Sequence, residues 1–364
     1  MKIAKITLAV LASFVMTAVA FAGELTVTGA AKATYSTRGS DSTTGASHGG
    51  KGIGIANEFT LSASGETDNG IAWKYAQDID GATVQDDASL TLTFADFGTI
   101  GIMVSEGGIS SKYGWSPAVY APGSDYGWAG GSTKHDAGAA GAGYTYGDDI
   151  GGFNNIQYHT PAGILPFGIG AKVAFAPSTG SGENASSDAT GAAAAAEDGD
   201  GAVQYQINAA PIDGLSVTAS YFEKKKPQET RKVKYEAGGA SAKYSMGPVT
   251  LGYGKFYVQP SYLKEGTDVV KDYTNTALGI AFNVNENFSV SYTSEKSEAN
   301  KMTAVLAATA ADTRSKVETK INAIQAAYTM GGMTISVADK TIDNLDYTQD
   351  KDGSETVLAI SLAF

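Results

Sequence analysis

Alternation of large apolar residues with small or polar ones, at a period of two, recurs along most of this chain and constrains its fold more than any other feature. At the C-terminus Leu358, Ile360, Leu362 and Phe364 fall on one face of an extended segment, and Val357, Ala359, Ser361 and Ala363 on the other. Leu90, Leu92 and Phe94 alternate with Ser89, Thr91 and Thr93, and Val203, Tyr205 and Ile207 alternate with Gln204, Gln206 and Asn208. Phe288, Val290 and Tyr292 interleave with Ser289, Ser291 and Thr293, as Met333, Ile335 and Val337 do with Thr334, Ser336 and Ala338. Successive side chains of a strand point to opposite faces, so each run is a strand with one oily side. The runs predict sixteen strands, near 24–36, 51–64, 71–79, 87–95, 99–105, 152–160, 167–176, 202–210, 215–224, 234–244, 249–259, 271–283, 288–296, 319–330, 333–342 and 354–364.

The connections alternate too. Gly65–Gly70, 96–98, Pro161–Pro166, Pro211–Gly214, Ser245–Pro248, Val284–Asn287 and Gly331–Gly332 are short. Between them fall mostly longer excursions: Thr37–Gly50, Asp80–Asp86, Glu106–Gly151, Pro177–Gly201, Lys225–Val233, Pro260–Val270, Ser297–Glu318 and Asp343–Gly353. Tight turns therefore gather at one end of the sheet and long loops at the other.

Such a sheet could be a soluble sandwich or a membrane barrel. A sandwich crowds charge on its outer faces, whereas only 18% of these residues are charged and the non-apolar face is mostly Ser, Thr, Asn, Gln, Gly and Ala. Lipid cannot hydrogen-bond backbone N–H and C=O groups, and each one left bare costs several kcal/mol, so a strand-built membrane protein must close on itself. Tilted strands of about 9 to 11 residues, polar inner faces, short turns and long outer loops fit that closure. The expected fold is all-β, a sixteen-stranded antiparallel transmembrane β-barrel, and beyond the N-terminus no apolar run is long enough for a spanning helix.

At the N-terminus Lys2 and Lys5 precede the uncharged run Ile6–Ala22, which closes on Ala20-Phe21-Ala22. This is the layout of an export signal, so 1–22 is read as a signal peptide and 23–364 as the barrel domain. The competing reading, an uncleaved anchor, is the weaker one, because the run is short for a spanning helix and no aromatic belt flanks it. Tyr35, Trp73, Phe94, Phe167, Phe175, Tyr244, Phe282, Phe288, Tyr328 and Phe364 are expected near strand ends, where amphipathic rings meet lipid headgroups.

Several chemistries are excluded. The chain has no cysteine, and its 38 acidic residues against 26 basic ones argue against nucleic acid as a partner. His48, His135 and His159 lie far apart, and Gly45–Lys51 has the glycines of a phosphate loop but Gly52 where a Ser or Thr would hold magnesium. No cofactor, metal or catalytic residue is expected, and the chain is not read as an enzyme.

The opening Glu24-Leu25-Thr26-Val27-Thr28-Gly29, the stretch from Asn57-Glu58-Phe59-Thr60-Leu61 through Gly65–Gly70, and the terminal Phe364 resemble a general diffusion porin of Gram-negative bacteria, of the alphaproteobacterial type. The likeness spans the mature chain in architecture and short stretches in wording. It implies a homotrimer in the outer membrane, contacting lipid and lipopolysaccharide, with Phe364 read by the outer-membrane assembly machinery. It also implies a long pore-constricting loop after the fifth strand, here Glu106–Gly151. The expected constriction residues are Glu106, Tyr113, Trp115, Tyr120, Asp125 and Trp128, in a loop that also carries Tyr126. Porins of this kind oppose loop carboxylates to a basic wall. Inward phase puts Lys32, Lys74, Lys172, Lys243 and Lys340 on that wall, together with Glu58.

The chain departs from the arginine-rich pattern. Its three arginines, Arg38, Arg231 and Arg314, all fall in or beside expected outer loops. A lysine wall is a looser, more hydrated array of point charges than stacked guanidinium groups. Lys224–Lys226, Arg231, Lys232 and Lys234 form a basic outer loop suited to lipopolysaccharide phosphates or to plain solvation, and 181–201 reads as a small-residue loop.

The function expected is passive diffusion of small hydrophilic solutes and ions through a water-filled channel. Two alternatives stay open: a substrate-selective channel, for example for sugars, and a structural or adhesive barrel with a plugged lumen.

Overall fold

The computed structural model describes residues 25–40, 50–80, 83–104, 109, 113–118, 147, 149–177, 201–224, 234–260, 268–303 and 313–364. Sixteen antiparallel strands form one closed barrel. They are β1 (Leu25–Ser40), β2 (Gly50–Glu66), β3 (Ala72–Asp80), β4 (Thr83–Phe94), β5 (Gly98–Val104), β6 (Asn155–His159), β7 (Gly170–Ala176) and β8 (Ala202–Ala209). The second half comprises β9 (Leu215–Lys224), β10 (Glu236–Met246), β11 (Val249–Gln259), β12 (Asp268–Asn283), β13 (Phe288–Thr303), β14 (Thr313–Met330), β15 (Met333–Asp343) and β16 (Gly353–Ala363). Each strand pairs with its chain neighbours, and β1 pairs with β16 from Ala30↔Ala363 to Ser40↔Gly353, so no edge is left bare.

The alternation decides which face is which. Ile53, Ile55, Ile102, Tyr205, Ile207, Leu278, Ile280, Ile324, Leu358, Ile360 and Leu362 stand exposed on the outside. Their strand neighbours Gln204, Gln206, Asn275, Ala277, Ala323, Gln325, Val357 and Ala359 are buried inside. A soluble protein would not leave so continuous a girdle of large apolar side chains in water, whereas lipid accepts it at no cost. Among the described residues no helix is long and apolar enough to cross a membrane.

Tight hairpins turn on left-handed glycines. Gly331 adopts φ 57 in the two-residue link between β14 and β15, where a primed turn matches the strand twist. Gly98 adopts φ 86 against the His159 carbonyl, leaving no room for a side chain.

Three features differ from the sequence reading. Strands β12, β13 and β14 run outward beyond the predicted ends, where paired polar groups stand in place of apolar residues: Lys296 to Glu318 at 3.2 Å, Lys316 to Glu298 at 2.5 Å, and the Asn300 amide donating to Asp272 at 3.2 Å. β1 continues to Ser40, so Tyr35 lies mid-strand and Arg38 belongs to the wall; Arg314 likewise lies on β14. Phe167 sits not on β7 but in a short 3-10 turn, Pro166–Gly168, with φ 58. The expected signal peptide and the basic stretch 225–233 lie outside the described residues.

Candidate functional site

The apolar core of this molecule sits inside the barrel. Ile109, Ile150, Phe222, Tyr235, Val258, Tyr273 and Tyr347 share one buried cluster, and Tyr113, Trp115, Phe256 and Ala277 form a second. The register places Phe222, Val258, Phe256, Tyr273 and Ala277 on the inward face. Ile109, Tyr113, Trp115 and Ile150 come from the long connection between β5 and β6.

Segment 113–118 is seated on the inner wall of β10–β12. The Ser241 hydroxyl donates to the Tyr113 carbonyl, and the Tyr113 ring lies 4.2 Å from that of Phe256. Trp115 and Pro117 pass over Gly252 and Gly279, which face each other across β11 and β12. Any side chain at Gly252 would collide with the Trp115 carbonyl, and one at Gly279 with the Pro117 ring. The small inward residues of this sector therefore have a reason: a loop backbone must approach the sheet backbone. Burial, and secondarily the Asp149 carboxylate, push the Tyr113 phenol up.

Both ends of the connection are fastened as well. Lys172 donates to the Ile109 carbonyl at 3.1 Å. On the returning side Ile150 N–H donates to Gln204 Oε1 at 2.8 Å, and the Asn155 amide donates to the carbonyls of Phe153 at 2.8 Å and Ile150 at 3.3 Å. Gln157 then donates to Asn155 at 2.8 Å and Gln204 to Ser220 at 2.8 Å, so the side-chain amides of Asn155, Gln157 and Gln204 have partners where no bulk water reaches.

Every wall candidate has the inward phase. Lys32 lies opposite Ser361 and Ala56, Glu58 opposite Ala30, and Lys74 between Ser64 and Thr91. Lys172 lies between His159 and Gln206, and Lys243 between Ser216 and Gly252. Glu58 and Lys74 are exposed to the lumen. Lys340 is not: only 2% exposed, it binds Glu355 at 2.8 Å, and Arg38 binds the same carboxylate at 2.5 Å. These three are direct neighbours across β15, β16 and β1, so Lys340 is neutralised within the wall. Glu106, Tyr120, Asp125, Tyr126 and Trp128 lie outside the described residues.

Exposure inside the barrel is uneven. Gln206, Thr293, Thr319, Gln325 and Ser336 on β8, β13, β14 and β15 are buried, whereas Thr28, Glu58, Ser64 and Lys74 on β1–β3 are open. Asp78, half-buried, has the same inward phase, directly opposite Thr60 on β2 and the buried Asp87 on β4. Sequence reasoning passed over Asp78, Glu295 and Glu355, although their parity with the neighbouring inward residues marks them. Tyr347 carried no such signal, because it belongs to a loop.

Of the basic outer segment, Lys224 lies over the rings of Phe153 and Tyr235 at 5.2 and 5.3 Å. Lys234 bridges Glu223 at 3.0 Å and Glu236 at 3.4 Å, and those hydrogen bonds hold its pKa above the ordinary lysine value.

Solved structures share this architecture. An anion-selective porin from Comamonas acidovorans matches with a TM-score of 0.61 at 11% identity, over 94% of this chain and 100% of that one. The outer-membrane expressed OmpT of Vibrio cholerae matches at 0.59 and 11% identity, over 95% and 99%. The outer membrane channel DcaP of Acinetobacter baumannii gives 0.59 and 11%, over 94% and 97%. No curated protein matches the sequence. The sequence model of the Gram-negative porin matches residues 7–339, nearly the full length of the closed barrel just described, and the chain belongs to that family.

Proposed function

We propose that this outer-membrane barrel is a passive pore whose narrowest passage lies between segment 113–118 and the open wall of β1–β4. The observation that carries this reading is the seat of Trp115 and Pro117 on Gly252 and Gly279, inside a closed barrel. A barrel of this strand number leaves an aqueous channel, and a loop lodged within it takes up cross-section and sets a size limit. Glu106, Tyr120, Asp125 and Trp128 extend the same loop. Small hydrophilic solutes and ions then cross along Thr28, Lys32, Glu58, Thr60, Ser64 and Lys74, whose hydroxyls and charges keep water in the passage.

Three further parts complete the proposal. Residues 1–22 direct export and are removed. The mature chain works as a homotrimer, a reading supported by the trimer form of OmpT from Vibrio cholerae, which matches at a TM-score of 0.56. Phe364 is the residue read by the assembly machinery, and lipid and lipopolysaccharide surround the outer girdle.

Reconstitution into a planar bilayer tests the pore. Wild-type protein is expected to give discrete conductance steps that scale with salt, and Trp115→Ala larger ones. Silence would indicate a plugged, structural barrel. Flux that saturates for one sugar class would indicate a selective channel.

A further inference from the structure

The last outer connection, between β15 and β16, also folds into the barrel. The Tyr347 hydroxyl lies 2.6 Å from Ser297 Oγ, its amide donates to Thr319 Oγ1 at 3.3 Å, and its carbonyl accepts from Lys301 Nζ at 2.8 Å. Thr319 in turn donates to the Asn344 carbonyl at 2.8 Å, and the Tyr347 ring lies 5.2 Å from Tyr273. Ser297 and Thr319 face each other on the inward side of β13 and β14, and Tyr273 is inward on β12. Leu345 packs against Ile321 and Ile342, fully buried.

This course is not the easy one. Neighbouring antiparallel strands need only a turn of a few residues to join them. Instead the chain places three non-glycine residues in the left-handed region within this one connection: Asn344 at φ 52, Tyr347 at φ 51 and Asp350 at φ 59. A bulky residue there is an outlier, and it persists only where its surroundings over-determine it. Here the surroundings are the inner wall, and Tyr347 joins the same buried cluster as Ile109 and Ile150, at the two ends of the long connection. The row Phe256, Asn275, Ser297, Thr319 runs continuously across β11–β14, so the seats of the two loops adjoin.

We propose that the connection 344–352 is a second lumenal loop, anchored by Tyr347, which narrows the bore along β12–β15 beside segment 113–118 and helps to set the size limit. This rests on the reading of the barrel as an open pore. Two inward loops on one side leave the β1–β4 wall as the water path, in keeping with the exposure of Glu58 and Lys74 there.

The chain contains no cysteine, which permits a single-site test. Thr348 is exposed beside the buried Tyr347. Wild-type conductance in a bilayer first establishes the pore, so that silence would sink the pore reading and not this one. In Thr348→Cys, coupling a bulky thiol reagent is expected to lower single-channel conductance about twofold or more, whereas the same reagent on Asn69→Cys, in an exposed turn at the other end, leaves it unchanged. Full modification of Thr348→Cys, verified by mass, with conductance unaltered would overturn the proposal. A second variant, with 344–352 replaced by Asn-Gly, is expected to conduct more and to admit larger sugars in liposome swelling. A folded, trimeric shortened barrel with wild-type conductance and cut-off would overturn it equally. Should that variant fail to assemble, the Thr348→Cys result decides.

Discussion

Gly29 and Phe364 exchange two backbone hydrogen bonds across the closing seam, the Gly29 N–H to the Phe364 carbonyl at 2.7 Å and the Phe364 N–H to the Gly29 carbonyl at 2.9 Å. The Phe364 ring folds back over Gly29, where any side chain would meet it, and lies 5.6 Å from the ring of Phe59. Phe364, proposed above as the residue read by the assembly machinery, therefore also closes the barrel seam.

That double role can be separated. Gly29→Val displaces the ring and is expected to lower stability by about 1 to 3 kcal/mol, the usual cost of overpacking, read as a lower unfolding temperature in heat-modified gel migration. Phe364→Leu keeps an apolar group at the seam. It is expected to refold in detergent with near wild-type stability yet to accumulate poorly in the outer membrane. Normal accumulation would remove the assembly role from Phe364.

Glu355 lies between two cations and is 2% exposed. Glu355→Gln leaves the buried Lys340 beside Arg38 with Glu295 as a remaining nearby carboxylate and is expected to cost about 3 kcal/mol, because removing one partner of a buried charge cluster is far worse than losing a surface pair. Arg38→Met is expected to cost less, since the Arg38 side chain is 25% exposed. Denaturant unfolding of the two variants tests the order; equal effects would contradict it.

Ion preference is expected to follow the open wall rather than every inward charge. On β1–β4 the inward Glu58, Asp78 and Asp87 outnumber Lys32 and Lys74, so reversal potentials under a low-salt KCl gradient should favour cations, and less so at high salt. Glu58→Gln with Asp78→Asn is expected to move the reversal potential toward zero, and Lys74→Gln to move it the other way. No change in either variant would place the selecting charges elsewhere.

Alkaline pH tests the seat of the long loop. The Tyr113 phenol is raised in the folded protein, chiefly by burial. Its contribution is therefore complete below about pH 10, the value of a free tyrosine, and is lost as pH rises toward the folded value, because the released loop gives up a proton that the seated loop keeps. Wild-type channels are expected to grow noisy above about pH 10, and Tyr113→Phe channels to stay quiet. Identical behaviour would detach the effect from Tyr113.

Strand number, strand order and the two faces were all legible in the sequence. The period-two pattern of residues such as Leu358, Ile360 and Leu362 depends only on which solvent each side meets, and lipid on one side with water on the other writes that choice at every second residue. The inward phase of Lys32, Glu58, Lys74, Lys172, Lys243 and Lys340 followed from the same parity. Parity stops being informative where the outward face leaves the hydrocarbon, so the added length of β12–β14 escaped it.

What those inward groups do was decided by tertiary structure. Lys340 and Lys74 look alike along the chain, but one meets Glu355 and Arg38 across the seam while the other faces the open lumen. Segment 113–118 finds Gly252 and Gly279, and Tyr347 finds Ser297 and Thr319, only because closure brings distant strands within a loop's reach. A local pattern records the solvent on each side of a strand; the contents of the bore depend on contacts between residues far apart in sequence, and these exist only once the barrel has shut.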